Sequence, residues 1–313
     1  MNTDFRALQP ISSDVNAMTV DVEEYFQVSA FEQHVDKARW HCFPSRVEAS
    51  MDRVLALFEL AGIRATFFVL GCIAVRHPAM VRRLVAAGHE VASHGMSHVR
   101  VTNQTRQAFS ADVRESRERL EQISGAPVQG YRAASFSISA ENLWALDVLA
   151  DAGFKYSSSI YPGAHPAYGM PGAPRFAFTN GENGIVEIPV TTVEMAGRRL
   201  PCAGGGFFRL YPYALTRRAF RRLNARDGQP GLFYFHPWEL DPDQPRVPGV
   251  NLKTRIRHYL NLGRTEQRLA RLLSDFNWDR MDRVFPVSRD KTVKVVPVEN
   301  SSYAGADRYM GHG

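Results

Sequence analysis

Apolar and polar positions along the chain divide it into short apolar runs separated by amphipathic stretches. Met18, Val20 and Val22 alternate with Thr19, Asp21 and Glu23, which predicts a strand with Asp21 and Glu23 on one face. Ser45 then reads as the N-cap of a helix that carries Val47, Met51, Val54, Leu55 and Phe58 inward and stops at Gly62. Arg64 to Leu70 is almost continuously apolar, the pattern of a strand buried on both faces of a parallel sheet. Pro78 opens a second helix, with Met80, Val81, Leu84 and Val85 inward and Gly88 as its stop. Glu90 to Ser93 is the next strand.

The alternation continues with a polar amphipathic helix from Thr105 to Ser124 and a strand from Pro127 to Arg132. A helix from Ala140 to Ala152 and a strand from Phe154 to Ser157 follow. Strand and helix alternate at least five times by Ser159, which predicts parallel β/α units joined by right-handed crossovers. The middle, Ile160 to Phe208, is rich in Pro and Gly, with one clear strand from Ile185 to Val190. Gly204-Gly205-Gly206 reads as a loop. No Lys-Ser/Thr follows it, so it suits close packing against a sugar or flexibility better than a phosphate cradle. A helix from Pro212 to Asn224 precedes the buried strand Leu232 to Phe235, which ends at His236. The last helix runs from Thr265 to Phe276. Beyond Pro286 the residues turn polar, and Ser301 to Gly313 reads as a frayed tail.

The 313 residues are 44% hydrophobic and 22% charged, which places the chain among globular proteins and excludes compositional disorder. The formal net charge of +6 is dispersed. Its one tight group, Arg217, Arg218, Arg221 and Arg222, reads as a solvated helix face, so no nucleic-acid partner is expected. Cys42, Cys72 and Cys202 are too few and too scattered for a disulfide framework or a thiolate zinc site, which suggests a reducing compartment. Met1 to Ala17 has no signal-like apolar core, and the longest apolar run, Ala65 to Val75, is short of a membrane span. The expectation is a cytoplasmic protein without membrane insertion. Its oligomeric state is not encoded in any pattern found here.

The chemistry gathers where strands stop. His94 and His98 follow the third strand; if the backbone turns helically there, both ring nitrogens reach one divalent ion. A carboxylate is needed as third ligand, and the Asp21 to Glu24 stretch lies at another strand end. Arg132 and His236 end two more strands, and in a β/α barrel reactive groups sit on the loops at the carboxyl ends. This distribution assigns Glu23, His94 and His98 to the ion, Asp21 to taking a proton from its water, and His236 to supplying one to a leaving group. Arg132 would hold Asp21 charged. The His-x-x-x-His spacing before β/α repeats argues against the facial triad of a non-haem iron oxygenase. An amidohydrolase of a small amide or ureide is an alternative. An inactive sugar-binding protein would leave the polar constellation without purpose.

These residues resemble a family, the polysaccharide deacetylases with the NodB-homology domain, carbohydrate esterase family 4, over roughly Asp14 to Phe285. Thr19 to Glu23 is similar to the first family motif, His94-Gly95-Met96-Ser97-His98 to the metal-binding second, and Tyr131 to Phe136 to the third. Asp151 to Phe154 resembles the fourth and Phe235 to Glu239 the fifth. Asp21 to Phe26, Gly204 to Arg209 and His236 to Leu240 further resemble the subgroup encoded with bacterial exopolysaccharide and exosortase loci. The resemblance implies a distorted (β/α)7 barrel over residues 1–286, with a helical extension from about 250 and a polar tail at 287–313. It implies one divalent ion, Zn2+, and removal of N-acetyl groups from the hexosamines of an N-acetylated polysaccharide or oligosaccharide, an exopolysaccharide here. The backbone N–H of Ser135 would hold the oxyanion, and Tyr25, Phe136, Phe207 and Trp238 would form a sugar-stacking wall. Two departures stand out. Val22 replaces the second acid of the usual Asp-Asp, so the carboxylate ligand is Glu23 or Glu24, and Ala134 stands where a Pro is common.

Overall fold

Seven short strands, most of them rich in apolar residues, line up in parallel. They are β1 (Val15–Val22), β2 (Thr66–Val69), β3 (Glu90–Ser93), β4 (Gly130–Tyr131), β5 (Tyr156–Ser157), β6 (Val186–Glu187) and β7 (Leu232–Phe235). The computed structural model describes residues 4–165, 168–181, 184–195, 197–285, 287 and 295–297. The sheet order is β7-β1-β2-β3-β4-β5-β6, so β1 and β7 are neighbours, and a further short strand, Asn277–Asp279, also pairs parallel with the start of β1. Among the described residues no strand completes the wall between β6 and β7. Thr191 Oγ1 instead accepts the Leu232 N–H (2.6 Å), and the Ala203 carbonyl accepts that of Tyr234 (2.9 Å). This is the distorted (β/α)7 barrel expected. Antiparallel strands Phe178–Asn180, Phe5–Leu8 and Val295–Pro297 extend the sheet beyond β6, the last drawn from the segment expected to be a polar tail. The expected frayed end at 301–313 lies outside the described residues.

Two faces of each strand have different work. Outward residues such as Met18, Val20, Phe67 and Val91 pack against the helices that follow the strands. These are α1 (Val47–Ala61), α2 (Gly71–Arg76), α3 (Pro78–Ala86), α4 (Arg106–Ser124) and α5 (Trp144–Asp151) in the first half. The second half adds α6 (Gly205–Leu210), α7 (Tyr213–Arg222), α8 (Leu252–Tyr259) and α9 (Leu262–Asp275). Inward residues Ala17, Phe68, Ala92, Tyr156, Val186 and Leu232 fill the lower barrel, and Met281 closes it from below. Along β1 the inward positions read Ala17, Thr19, Asp21, so the interior changes from apolar to hydroxyl to carboxylate toward the carboxyl end. Among the described residues no helix is long and apolar enough to cross a membrane.

Several expectations are corrected. The strands expected at Pro127 to Arg132 and Ile185 to Val190 contribute only two paired residues each, because the flanking residues turn into loops that form the site. The helix expected from Ala140 starts at Trp144. Gly205 and Gly206 open α6 instead of lying in a loop. Ser45 does not cap α1. The Arg46 N–H donates to both Glu24 carboxylate oxygens (2.9 and 3.2 Å), and the Ser45 hydroxyl donates to the same carboxylate. An anion at a helix N-terminus satisfies an orphan donor and the macrodipole together. Glu24→Ala should therefore lower stability by about 1–2 kcal/mol in urea denaturation. An unchanged midpoint would remove Glu24 from this role.

Candidate functional site

The centre of the upper barrel is a buried ion pair at the floor of a cleft. Arg132, fully buried just beyond β4, meets Asp21 Oδ1 through Nη1 at 2.5 Å, and the Asp21 side chain is 3% exposed. Its remaining donors reach Thr19 Oγ1 (2.9 Å), the Ser158 carbonyl (3.2 Å) and Ser158 Oγ (3.1 Å), while its guanidinium lies 4.0 Å from the Phe68 ring centroid. Thr19 passes its own proton to the Phe233 carbonyl (2.9 Å), so one network ties β1, β4 and β7 to the segment after β5. The fixed guanidinium holds the Asp21 carboxylate in one orientation by a charge-assisted hydrogen bond.

Beside this pair, ligand atoms of Glu23, His94 and His98 lie within 4.8 Å of one another, all three residues buried. Glu23 continues the inward face of β1. The two imidazoles converge, but not by the helical turn expected. Gly95 has φ +81° and His98 φ +51°, so a tight loop reverses between them. A Cβ on Gly95 would lie 3.0 Å from Asp112 Oδ2, so both the conformation and the space favour glycine. The loop is held on every side. Ser93 Oγ accepts the Gly95 N–H (3.1 Å), the Gly95 and Met96 carbonyls accept N–H groups from the start of α2 (2.9 Å each), and Lys37 Nζ caps the Ser97 and His98 carbonyls (2.9 and 3.1 Å). His94 Nδ1 donates to the Arg132 carbonyl at 2.8 Å, which leaves Nε2 as its free lone pair.

The donor set fits a divalent cation. Glu23 Oε2 and His98 Nδ1 are buried without a hydrogen-bond partner, and Glu23 Oε2 lies 3.1 Å from His98 Nε2 without donor alignment. Burial pushes the Glu23 carboxyl up to about 7, against the attraction of His236, and it lowers both His94 and His98. Neutral imidazoles and a destabilised carboxylate are what a cation would relieve. Glu24, the other carboxylate considered, points away to α1.

His236 follows β7 and faces Glu23 across the cleft, Nε2 to Oε1 at 3.2 Å, while Nδ1 meets Glu239 Oε1 at 2.9 Å. Burial alone would lower its pKa, but Glu23 and Glu239 outweigh it and push it up to about 9. Glu239 is held down at about 2 because Arg209 and His236 overcome the opposing effect of burial. A cleft of about 560 Å³ opens over these groups, lined also by Ser135, Phe136, Phe207 and Trp238. Ser135 and Phe136 both adopt positive φ (57° and 50°), a strained pair held by Phe136 stacking edge-on to Tyr234 at 4.9 Å. Trp238 is sandwiched between His236 and His258, leaving it 6% exposed. Tyr25 does not join the expected sugar wall. It is fully buried in a cluster with Phe26, Phe31 and Trp238, and of these only Trp238 lines the cleft.

Sequence reasoning missed the supports. Thr19 and Arg209 entered only as members of motif stretches with no role of their own, Ser158 and Lys37 carried no signal beyond their residue type, and Glu187 read only as a strand residue. Its Oε1 accepts the Ser159 and Ile160 N–H groups (2.8 Å each), and Ser159 Oγ accepts the Ala133 N–H (2.9 Å), which sets the loop beyond Arg132.

Comparison with known proteins agrees with this geometry. The family described as polysaccharide deacetylase matches residues 33–157, and a domain of unknown function, DUF3473, matches residues 158–286. A chitooligosaccharide deacetylase of Rhizobium leguminosarum bv. trifolii is 36% identical over 106 residues, 34% of this chain and 43% of that protein. A peptidoglycan-N-acetylglucosamine deacetylase of Listeria monocytogenes is 39% identical over 54 residues, 17% of this chain and 12% of that protein. Both matches therefore span less than half of the relative. A solved structure from Mycobacterium smegmatis assigned to the polysaccharide deacetylases superposes with a TM-score of 0.56 at 20% identity, covering 88% of this chain and 91% of the other, and shares the fold. The chain therefore carries a polysaccharide deacetylase domain at residues 33–157.

Proposed function

We propose that this protein is a metal-dependent N-deacetylase that removes acetyl groups from hexosamine residues of a polysaccharide. The observation that carries the reading is the convergence of Glu23, His94 and His98 between a buried, Arg-paired Asp21 and His236. When bound by those three residues, a divalent ion, which we take to be Zn2+, supplies Lewis acidity to an acetamide carbonyl and to a water. Asp21 accepts the proton of the attacking water, and Arg132 holds the carboxylate for that transfer. The Ser135 N–H, presented by the strained Ser135–Phe136 backbone, donates to the developing oxyanion. His236 gives its proton to the amine nitrogen as the C–N bond breaks, so acetate and a free amine leave. The aromatic faces of Phe136 and Phe207 at the cleft suit sugar rings. The exopolysaccharide assignment rests on the likeness of Gly204 to Arg209 and His236 to Leu240 to the subgroup named above, and the chitooligosaccharide and peptidoglycan relatives support a hexosamine polymer more broadly.

His94→Ala, His98→Ala and Glu23→Ala should each lower bound metal well below one ion per folded chain by elemental analysis, whereas Glu24→Ala should keep it. Full metal in all three variants would break the ligand set. Asp21→Asn should keep the metal and lose acetate release by roughly a hundredfold or more, since general bases commonly contribute about 10² to 10⁴. Unchanged turnover would remove Asp21 as the base. His236→Ala should depress hydrolysis of an N-acetylated glycan strongly but that of an activated aryl acetate much less, because only the amine needs a proton to leave. Equal losses on both substrates would take the acid role from His236.

A further inference from the structure

Resting on the deacetylase reading, the acid half of the site is built from residues 158–286, the domain without an assigned role. His236 and Glu239 share a single 3-10 turn after β7, and Glu239 Oε1 accepts both from His236 Nδ1 (2.9 Å) and from the His236 backbone N–H (3.0 Å). The second oxygen, Oε2, takes Arg209 Nε at 2.7 Å. Arg209, on α6, sends Nη1 to the carbonyls of His258 (2.7 Å) and Leu260 (3.0 Å) at the end of α8. Glu239 is fully buried and the Arg209 side chain 3% exposed, so this is a desolvated ion pair anchored at both ends. Room for it depends on Gly205, where a Cβ would fall 2.0 Å from Glu239 Oε1.

We propose that Arg209 and Glu239 are positioning residues whose buried couple fixes the His236 ring, making the 158–286 domain the proton-delivering half of the enzyme. A carboxylate only accepts, so Nδ1 must carry the hydrogen it faces, and Nε2 is the nitrogen turned to the cleft. A buried carboxylate without a cation would neutralise and lose that preference; Arg209 keeps it an anion. The carbonyls beyond Arg209 leave the couple no freedom to rotate. Although Arg209 borders the cleft, its Nε and Nη1 hydrogens are spent on protein acceptors, which sets it apart from a residue for catching a substrate anion.

The test compares Glu239→Gln, Arg209→Met, Arg209→Lys and the Arg209→Met/Glu239→Gln double variant as zinc-loaded full chains. Two substrates are used, an N-acetylated chitooligosaccharide and 4-nitrophenyl acetate. Glu239→Gln should lower kcat on the glycan by about 10- to 100-fold, the usual cost of losing such a partner, and lower aryl acetate turnover far less. Arg209→Met should show the same split, Arg209→Lys should recover part of it, and the double variant should lose no more than Glu239→Gln alone, as expected of residues acting as one unit. Should Glu239→Gln not fold, the double variant, which buries no unpaired charge, carries the same comparison. Retained glycan turnover in folded, metal-loaded Glu239→Gln, or equal losses on both substrates, would overturn the proposal. A wild-type protein that binds metal but releases no acetate from any N-acetylated glycan would overturn the deacetylase reading itself, and this inference with it.

Discussion

Burying Asp21 is the constraint that organises the upper barrel. A carboxylate cut off from water is costly unless a cation and hydrogen bonds replace its hydration, and removing one partner of such a pair costs about 3–5 kcal/mol. Arg132 answers that need, but a buried guanidinium has five hydrogens of its own to place. Thr19, the two acceptors of Ser158 and the face of Phe68 meet most of that demand. Their positions then dictate where β4 and the segment beyond β5 run. Because the Arg132 carbonyl also orients His94, the ion pair and the candidate metal ligands share one support and cannot shift independently.

What the sequence made legible were the groups whose chemistry is unusual at a strand end. Asp21, His94, His98, Arg132 and His236 stand out because apolar runs should not stop on ionisable side chains without cause. The β/α alternation was legible for a related reason, since outward faces are covered by helices and the run through β2 is nearly unbroken. The convergence of His94 and His98 was anticipated with the wrong backbone, because four-residue spacing serves a helix and a reversed loop alike, and only the Gly95 torsion separates them. Tyr25 was misplaced because periodicity gives a face and not a depth. Arg209 and Glu187 were illegible because their partners lie far away in sequence, and nothing local distinguishes a buried Arg from a solvated one.

Glu23 and Glu24 show how adjacent identical residues acquire opposite work. Alternation at the end of β1 sends one inward among the imidazoles and the other outward to α1, where it meets a helix terminus. The same residue type thus faces a candidate cation site in one place and backbone dipoles in the other. The exchange of one backbone position is enough to separate them.

The seam between β7 and β1 also has a consequence in time. The strand bearing Asp21 pairs on one side with Thr66–Val69, close in sequence, and on the other with Leu232–Phe235, more than two hundred residues later. During synthesis that edge stays open until most of the chain has emerged, with its apolar face waiting for Phe233 and Phe235. Long-range closure of this kind is slow and leaves an unpaired strand exposed to other chains. Completion of the candidate site therefore waits on β7, the strand that ends at His236.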